Sequence, residues 1–487
     1  MRKPRYGGSG EPLGERSRAA DGGRTVTAGL LGIGLVMLLG VASDMYLPAV
    51  VALAAIGLLL LVVGSAYRLL LTVLGLHICI NIVTLARAAV FVGPFRIRAD
   101  IVLMGMVVLL WLASKADRQS TGIAMGLSGR MAAVMTALTG VAFLRGMLGQ
   151  ADPEMVVPFT YSYGGYLLFF PALWALSRTE GSVRWLVRML VVFGGIAGLV
   201  FILTGITGQG AGLYYRATGM RIATRQPNAM AVILIMLSAL LWKSPRSAPP
   251  LLVSLPASIL MAAGILLSQT RALWVALAAS FGIMFLVSLF KREKEVSERG
   301  RQLLSMAIFG VLIGAGILLV GSLNLLSAQQ LAQRGSAGSG SLLFDVSLIS
   351  RFLSWGTVID KMQGVHLFLG YGFGETITYF KPEMGMVWTM AFVDGSLFQT
   401  ALNMGLVGVF ALVLLYLAGI VDAARLFLRT SDPERGALAL GVMGGLLVVS
   451  AASLTGSPAT NYRYTVLWAV LFALVRYLRH REEVEAT

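Results

Sequence analysis

The chain has 487 residues, 57% hydrophobic and only 13% charged, with a mean hydropathy of +0.80. That balance excludes a soluble globular domain and points to a membrane protein. The net charge of +16 calls for no nucleic-acid partner, because basic residues gathered on one face of a membrane protein meet anionic lipid headgroups.

The first 26 residues carry six basic residues among Gly, Ser and Pro and read as a disordered cytoplasmic tail. No small-residue cleavage site follows a short apolar region there, so the first apolar run is expected to be retained. From that point apolar runs recur, each about long enough to cross a hydrocarbon core of roughly 30 Å as a helix. Backbone groups in lipid must be satisfied internally, so the runs predict helices, and the alternating strands of a membrane barrel are absent. The expected fold is therefore all-α and polytopic, with about fourteen spans. They start near Thr27, Leu47, Leu69, Ile101, Met131, Tyr163, Trp185, Asn228, Pro250, Ala272, Leu303, Ser396, Ala437 and Tyr464. Residues 27–323 hold the first eleven and 396–478 the last three. Residues 324–395 form a long outer loop, and 479–487 a second cytoplasmic tail. With the N-terminus cytoplasmic, 26 of the 39 basic residues fall inside and 13 outside, as the positive-inside rule requires. The single cysteine, Cys79, lies in an apolar run, which excludes an internal disulfide and reads as a small buried hydrophobe.

Two regions break the pattern. The loop from Gly208 to Pro227 keeps Arg216, Arg221 and Arg225 on the outer side, where positive charge is normally depleted. Such a cluster points to an anionic partner, and beside a membrane the commonest is a lipid-linked phosphate; a solvated loop is the plainer reading. The second region is the outer stretch from about Asn324 to Val393, far longer than any other connection. After a flexible Gly335-Ser-Ala-Gly-Ser-Gly340, the spacing predicts a helix over Leu342–Met362, with Phe344, Leu348, Phe352, Trp355 and Ile359 on one face. That helix would lie on the outer leaflet or cap a cavity.

Four motifs, in order, carry a resemblance: Arg216-Ala-Thr-Gly219 with Gln226-Pro-Asn-Ala-Met230; Ser268-Gln-Thr-Arg271-Ala-Leu-Trp274; Ser350-Arg351-Phe-Leu-Ser-Trp355 with Phe368-Leu-Gly370-Tyr-Gly-Phe-Gly374; and Val393-Asp394-Gly-Ser-Leu-Phe398 with Asn403-Met-Gly-Leu-Val-Gly408. Over roughly residues 200–425 the chain resembles the O-antigen ligase and polysaccharide polymerase superfamily. The resemblance implies a membrane-embedded glycosyltransferase of GT-C-like architecture in the bacterial inner membrane, with a long loop over an outward-facing cavity. It also implies a donor glycan on undecaprenyl diphosphate and an acceptor sugar hydroxyl: another lipid-linked repeat unit for a polymerase, a lipid A core for a ligase. Membrane lipids and a chain-length regulator are the further partners implied. Ligases of this superfamily usually carry a histidine where Asp394 stands, so the polymerase branch is the closer match, making O-antigen or exopolysaccharide.

The chemistry can be set beside the residues separately. Breaking an anomeric carbon–oxygen bond leaves a diphosphate whose charge must be stabilised, and arginine's fork makes bidentate bonds to phosphate. Arg216, Arg221, Arg225 and Arg351 are the diphosphate-binding candidates, and Arg271, at the junction of two spans, is a catalytic one. Each has a plainer reading: Arg271 as an interfacial anchor, Arg351 as the partner of Asp345 or Asp360. Arg96 and Arg98 beside Asp100 read as anchors. Asp394 is the general-base candidate, or else a helix N-cap. His366 is a weaker catalytic candidate without motif context, and His77 reads as a packed helix residue. Of the outer acids only Asp152 and Glu154 are close in sequence, so a metal-independent reaction without cofactor is expected. Gly370-Tyr-Gly-Phe-Gly374 lacks the preceding strand and following lysine of a nucleotide loop; its glycines read as tight turns or as room for substrate. A transporter or lipid-glycan flippase is the alternative from another class, although the notable charges gather at span ends rather than mid-membrane.

The expected topology has a direct test. In a Cys79→Ala background, a cysteine at Gly210 should react with an impermeant maleimide in intact cells with a permeabilised outer membrane. Labelling only after the inner membrane is lysed would overturn an outward-facing Arg216 loop.

Overall fold

The computed structural model describes residues 66–79, 89–92, 95–116, 123–149, 151–179, 181–207, 213–216, 219–222, 227–291, 314, 316, 318, 346–382 and 385–485. The spans expected near Thr27, Leu47 and Leu303 and the N-terminal tail lie outside these residues. The described chain is mainly helical: α1 (Ala66–Cys79), α2 (Ala99–Ala116), α3 (Gly126–Leu148), α4 (Pro153–Gly164), α5 (Phe169–Arg178) and α6 (Ser182–Thr207). Then come α7 (Pro227–Lys243), α8 (Leu251–Leu267), α9 (Arg271–Phe290), α10 (Val346–Lys361), α11 (Val365–Leu369), α12 (Ser396–Arg429), α13 (Pro433–Ala452) and α14 (Tyr462–Glu485). Among the described residues α3, α6, α9, α12 and α13 are long and apolar enough to cross a bilayer, and α1, α7 and α8 are shorter apolar helices. The protein is an integral membrane protein.

Several expectations are corrected or refined by the structure. The fold is not purely α: three antiparallel hairpins join helices, β1 (Ala89–Val92) with β2 (Phe95–Arg98), β3 (Leu213–Arg216) with β4 (Gly219–Ile222), and β5 (Ile377–Lys381) with β6 (Met386–Met390). Each strand has only four or five residues, too few for alternation to stand out beside neighbouring apolar runs. The span expected from Tyr163 is instead α4, a 3₁₀ turn over Gly165–Leu168, and α5. Asp152 opens α4 by accepting from the Glu154 amide at 2.9 Å, with Pro153 at the first helical position. Asp152 and Glu154, the outer acids close in sequence, thus lie at a helix start. At the other end of the chain, the tail expected from residue 479 continues as helix α14 to Glu485. The helix expected over Leu342–Met362 is α10, but its packed face is Ser350, Ser354 and Val358, while Phe352 and Ile359 from the apolar stripe are exposed.

The core is a helix bundle centred on α13, which packs against α7, α9 and α12. Close approach comes from small residues on α13: Gly441 faces the Met236 backbone and Gly445 faces Val232. Helix α14 is buried from Tyr464 to Val475 against α4, α5 and the 3₁₀ turn. Cys79 is 5% exposed, with its thiol donating to the Phe193 carbonyl, and His77 is likewise buried, bonded to the Val73 carbonyl.

One end of the bundle is laced by ion pairs. Arg435 meets Asp432 at 3.1 Å, Glu482 at 3.1 Å and Glu485 at 2.5 Å; Arg184 meets Glu434 at 3.3 Å; Arg479 meets Asp422 and Glu483. Arg435 holds the Glu485 carboxyl below the usual carboxylate range. Lys243 and Lys291, at the ends of α7 and α9, both lie over the Phe427 ring. Arg271 opens α9 at the opposite end.

Near that opposite end α12 is broken. Gly405 has φ +67° and ψ −166°, a conformation open essentially to glycine alone. The break frees carbonyls that an unbroken helix would use, and the loop after α11 takes them. The Tyr371 amide donates to the Leu402 carbonyl at 2.8 Å and the Gly372 amide to the Asn403 carbonyl at 3.0 Å. The Phe373 amide then donates to the Ala142 carbonyl of α3 at 3.0 Å. A side chain at Gly405 would overlap the Phe368 carbonyl, and one at Gly370 the Asn403 backbone. The glycines of Gly370-Tyr-Gly-Phe-Gly374 thus make room for neighbouring chain: Gly370 for α12, Gly372 for α3, and Gly374 for Ala151 and Val156.

Replacing Gly405 by alanine should cost at least roughly 1–3 kcal/mol from the backbone alone. Gly140→Ala, on the open face of α3 where a methyl meets nothing within 4 Å, should be neutral or stabilising. Thermal unfolding of both variants in detergent tests this; equal midpoints would mean that the break is not a fixed feature.

Candidate active site

The site is built around the start of α12. Helix α12 begins after Gly395, whose φ is +97°, and no side chain caps it. Asp394, expected as a cap or a base, is therefore not the cap. The main chain on either side of it is held by side chains from three directions. Gln399, 1% exposed, accepts from the Val393 amide at 2.6 Å and donates to the Ala391 carbonyl at 3.3 Å. The Ser457 hydroxyl donates to the Val393 carbonyl at 3.1 Å. The Trp355 indole donates to the carbonyl of Asp394 itself at 2.5 Å, while its ring stacks on Phe398 with centroids 4.6 Å apart. The Ser396 amide donates to the carbonyls of Ser453 and Gly456, and its hydroxyl accepts from the Ala459 amide. Thr400 bonds both the Ser396 carbonyl and the Tyr163 hydroxyl. The turn after α13 thus cradles the start of α12.

Against this fixed backbone the Asp394 carboxylate is open: its side chain is 58% exposed, and its ionic partner is Arg351 Nε at 3.7 Å. That distance is an ion pair but too long for a hydrogen bond. Arg351 and Trp355 sit one turn apart on α10 and so reach the same residue. Among the described acids, Asp394 and not Asp360 lies beside Arg351, and Asp345 falls outside the described residues. This is a direct contact between two of the candidate site residues.

The other candidates lie at neighbouring turns. Arg271 is the first residue of α9, after Ser268 and Gln269, which are 1% and 3% exposed. Gln269 takes φ +49°, unusual for a residue with a side chain. The Ser268 hydroxyl donates to the Ile265 carbonyl and the Trp274 indole reaches the same carbonyl, fixing the turn that presents Arg271. Arg216 and Arg221 lie on the β3–β4 hairpin. Its register pairs Tyr214 with Arg221 and Arg216 with Gly219. Opposite residues share a face and so do residues two apart, which sets positions 214, 216, 219 and 221 on one face of the ribbon. Arg225 lies outside the described residues. Arg96 and Arg98, two apart on β2, likewise share one face of their hairpin.

Sequence reasoning missed several participants. Arg145, near the end of α3, donates to His366 Nδ1 at 3.3 Å and to the Leu369 carbonyl at 3.2 Å. The His366 ring stacks on Tyr371 at 4.0 Å, and the Tyr371 hydroxyl donates to the Lys361 carbonyl. Lys361 in turn pairs with Glu375. His366 therefore belongs to a structural chain that ties α3, α10 and α11 together. A lone arginine closing an apolar run was the available signal for Arg145. Gln399 and Ser457 gave none, because their partners are backbone groups, which leave no mark on the sequence.

Replacing Gln399 with leucine leaves the Val393 amide and Ala391 carbonyl unpaired while keeping the volume similar. The loss should be about 1–3 kcal/mol, read as a lowered unfolding midpoint in detergent. An unchanged midpoint would show that Gln399 does not hold this segment.

No curated protein matches the chain. Residues 256–413, from within α8 to within α12, match the family model described as O-antigen ligase. That stretch contains Arg271, Arg351, Asp394 and the Gly370–Gly374 loop. Over those residues the match supports the resemblance to the O-antigen ligase and polysaccharide polymerase superfamily.

Proposed function

We propose that the protein is a glycosyltransferase that polymerises undecaprenyl diphosphate-linked repeat units on the outer face of the bacterial inner membrane. The observation that carries this reading is the Arg351–Asp394 pair at the junction of α10 and α12: a cation suited to phosphate beside an exposed carboxylate on a fixed backbone. The family match supports a glycosyltransferase-like enzyme.

In the proposed reaction the acceptor hydroxyl oxygen bonds to the anomeric carbon of the donor glycan. Its proton passes to the Asp394 carboxylate. The bond from that carbon to the diphosphate oxygen breaks, and its electron pair leaves with undecaprenyl diphosphate. Arg216, Arg221, Arg225, Arg271 and Arg351 stabilise the leaving charge, which arginine does without a metal by bidentate bonding. Exposed Phe352, Ile359, Val365, Phe368, Phe380 and Val387 give the loop an apolar surface suited to lying in the outer leaflet. The second reading is an O-antigen ligase, favoured by the description of the matched family.

Purified protein given only a lipid diphosphate-linked repeat unit should produce a ladder of longer lipid-linked glycans. A single transfer that requires lipid A core would identify a ligase, and movement of the lipid without bond formation a flippase. Asp394→Asn should lower turnover roughly 10²–10⁴-fold, the usual size of general acid–base catalysis. Because Asp394 caps no helix, normal turnover in that variant would remove it from the chemistry. Arg271→Ala should abolish the ladder, with Arg271→Lys recovering only part of it.

A further inference from the structure

We propose that Asp394 occupies, on Arg351, the place of the donor's diphosphate, so that donor binding is what frees the carboxylate for the acceptor hydroxyl. The inference rests on the donor-site reading above and adds an order of events to it.

Three observations converge on it. The contact is incomplete: an arginine and a carboxylate can form two parallel hydrogen bonds, yet the nearest approach here is 3.7 Å from Nε. The Arg351 Nε is itself buried and has no hydrogen-bond partner among the described residues. A buried donor left unsatisfied is unfavourable, so the guanidinium is set for a better acceptor than the one it has.

The two side chains are also the loose parts of an otherwise fixed frame. Helix α10 is seated through buried Ser350, Ser354 and Val358, and through the Trp355–Phe398 stack. The Asp394 backbone is held by Trp355, and the residue before it by Gln399 and Ser457. Exchange of partners therefore needs only side-chain rotation. A diphosphate brings more charge and more acceptor oxygens to the guanidinium than one carboxylate does, and displaces it. Asp394, 58% exposed, then turns to the open side. The carboxylate weakens donor binding in exchange for being released only when a donor is present.

Binding of undecaprenyl diphosphate to the full chain in nanodiscs tests this without reference to turnover. Asp394→Asn should bind about twofold to fivefold more tightly than the native chain, the size expected when a partly exposed ion pair no longer competes. Arg351→Gln should bind roughly tenfold or more weakly, as expected for losing a hydrogen-bonded charge. In the double variant the gain from Asp394→Asn should vanish, because Arg351 is the shared partner. Asp360→Asn, which removes an exposed acid further along α10, should change nothing. If Asp394→Asn weakens binding or leaves it unaltered, the exchange is wrong while the donor site stands. A gain that persists in the Arg351→Gln background would reduce it to a general charge effect and overturn it equally. If Arg351→Gln binds normally, Arg351 is not part of the donor site and both readings fall.

Discussion

The break in α12 at Gly405 is the constraint on which the site's surroundings depend. A helix in an apolar environment satisfies its own backbone, and each group released from it costs several kcal/mol unless another partner is found. Here Leu402 and Asn403 are fully buried, and their carbonyls are met by the amides of Tyr371 and Gly372. The loop that supplies those amides is thereby fixed to α12 and, through the Phe373 amide, to α3. The Phe373 ring lies against Phe159 and Tyr163 of α4. One irregularity thus fastens together α3, α4, α11 and α12, and the glycines on both sides leave the space for it.

The segment of α12 before the break, Ser396–Met404, is short, and its position is set largely by what surrounds it. The turn from Ser453 to Ala459 receives its first residue, Gln399 folds back onto the preceding strand end, and Tyr163 bonds Thr400. This contrasts with the other end of the bundle. There, arginines meet carboxylates at hydrogen-bonding distance, as in Arg435 with Glu482 and Glu485. Those contacts are complete and explain themselves as structure. The Arg351–Asp394 contact is incomplete although the surrounding backbone is the more heavily restrained of the two. Loose pairing on a rigid mount is what a group awaiting a ligand needs, whereas a structural ion pair gains from closing.

How much of this was legible in the sequence depended on whether the determinant was local. Apolar runs located α3, α6, α9, α12 and α13 because a span is a local property of about twenty residues. The Ser268-Gln-Thr-Arg271 turn could be read for the same reason: it is a short junction between two spans. The strands around Arg216 were not seen, since four residues between apolar helices give too little alternation. The glycines of the Gly370–Gly374 loop were read as tight turns or as room for substrate, and all three do take positive φ. What those glycines accommodate, the backbone of Asn403 and of Gly146, is distant in sequence. Arg351 was expected to bind the diphosphate or else to pair with Asp345 or Asp360, and its contact with Asp394 was not visible in the sequence. Proximity in sequence was the only guide there, and the fold overrode it.

The arrangement also bears on the choice between transfer and transport. A carrier that moves a charged lipid alternates between two exposures and needs ionisable groups along its path, commonly near mid-membrane on discontinuous helices. Here α12 is discontinuous, but the carbonyls freed at the break are met by the amides of Tyr371 and Gly372. The charged pair sits at the start of the helix, ahead of the break, on a backbone held by Trp355, Gln399 and Ser457. Rocking one part of the bundle past another at this point would break those contacts together. Bond-making has the opposite requirement: groups held still within a fraction of an ångström while charge develops between them. A pinned main chain bearing one loosely held carboxylate meets that requirement, and its placement beside a guanidinium suits a reaction whose leaving group is an anion.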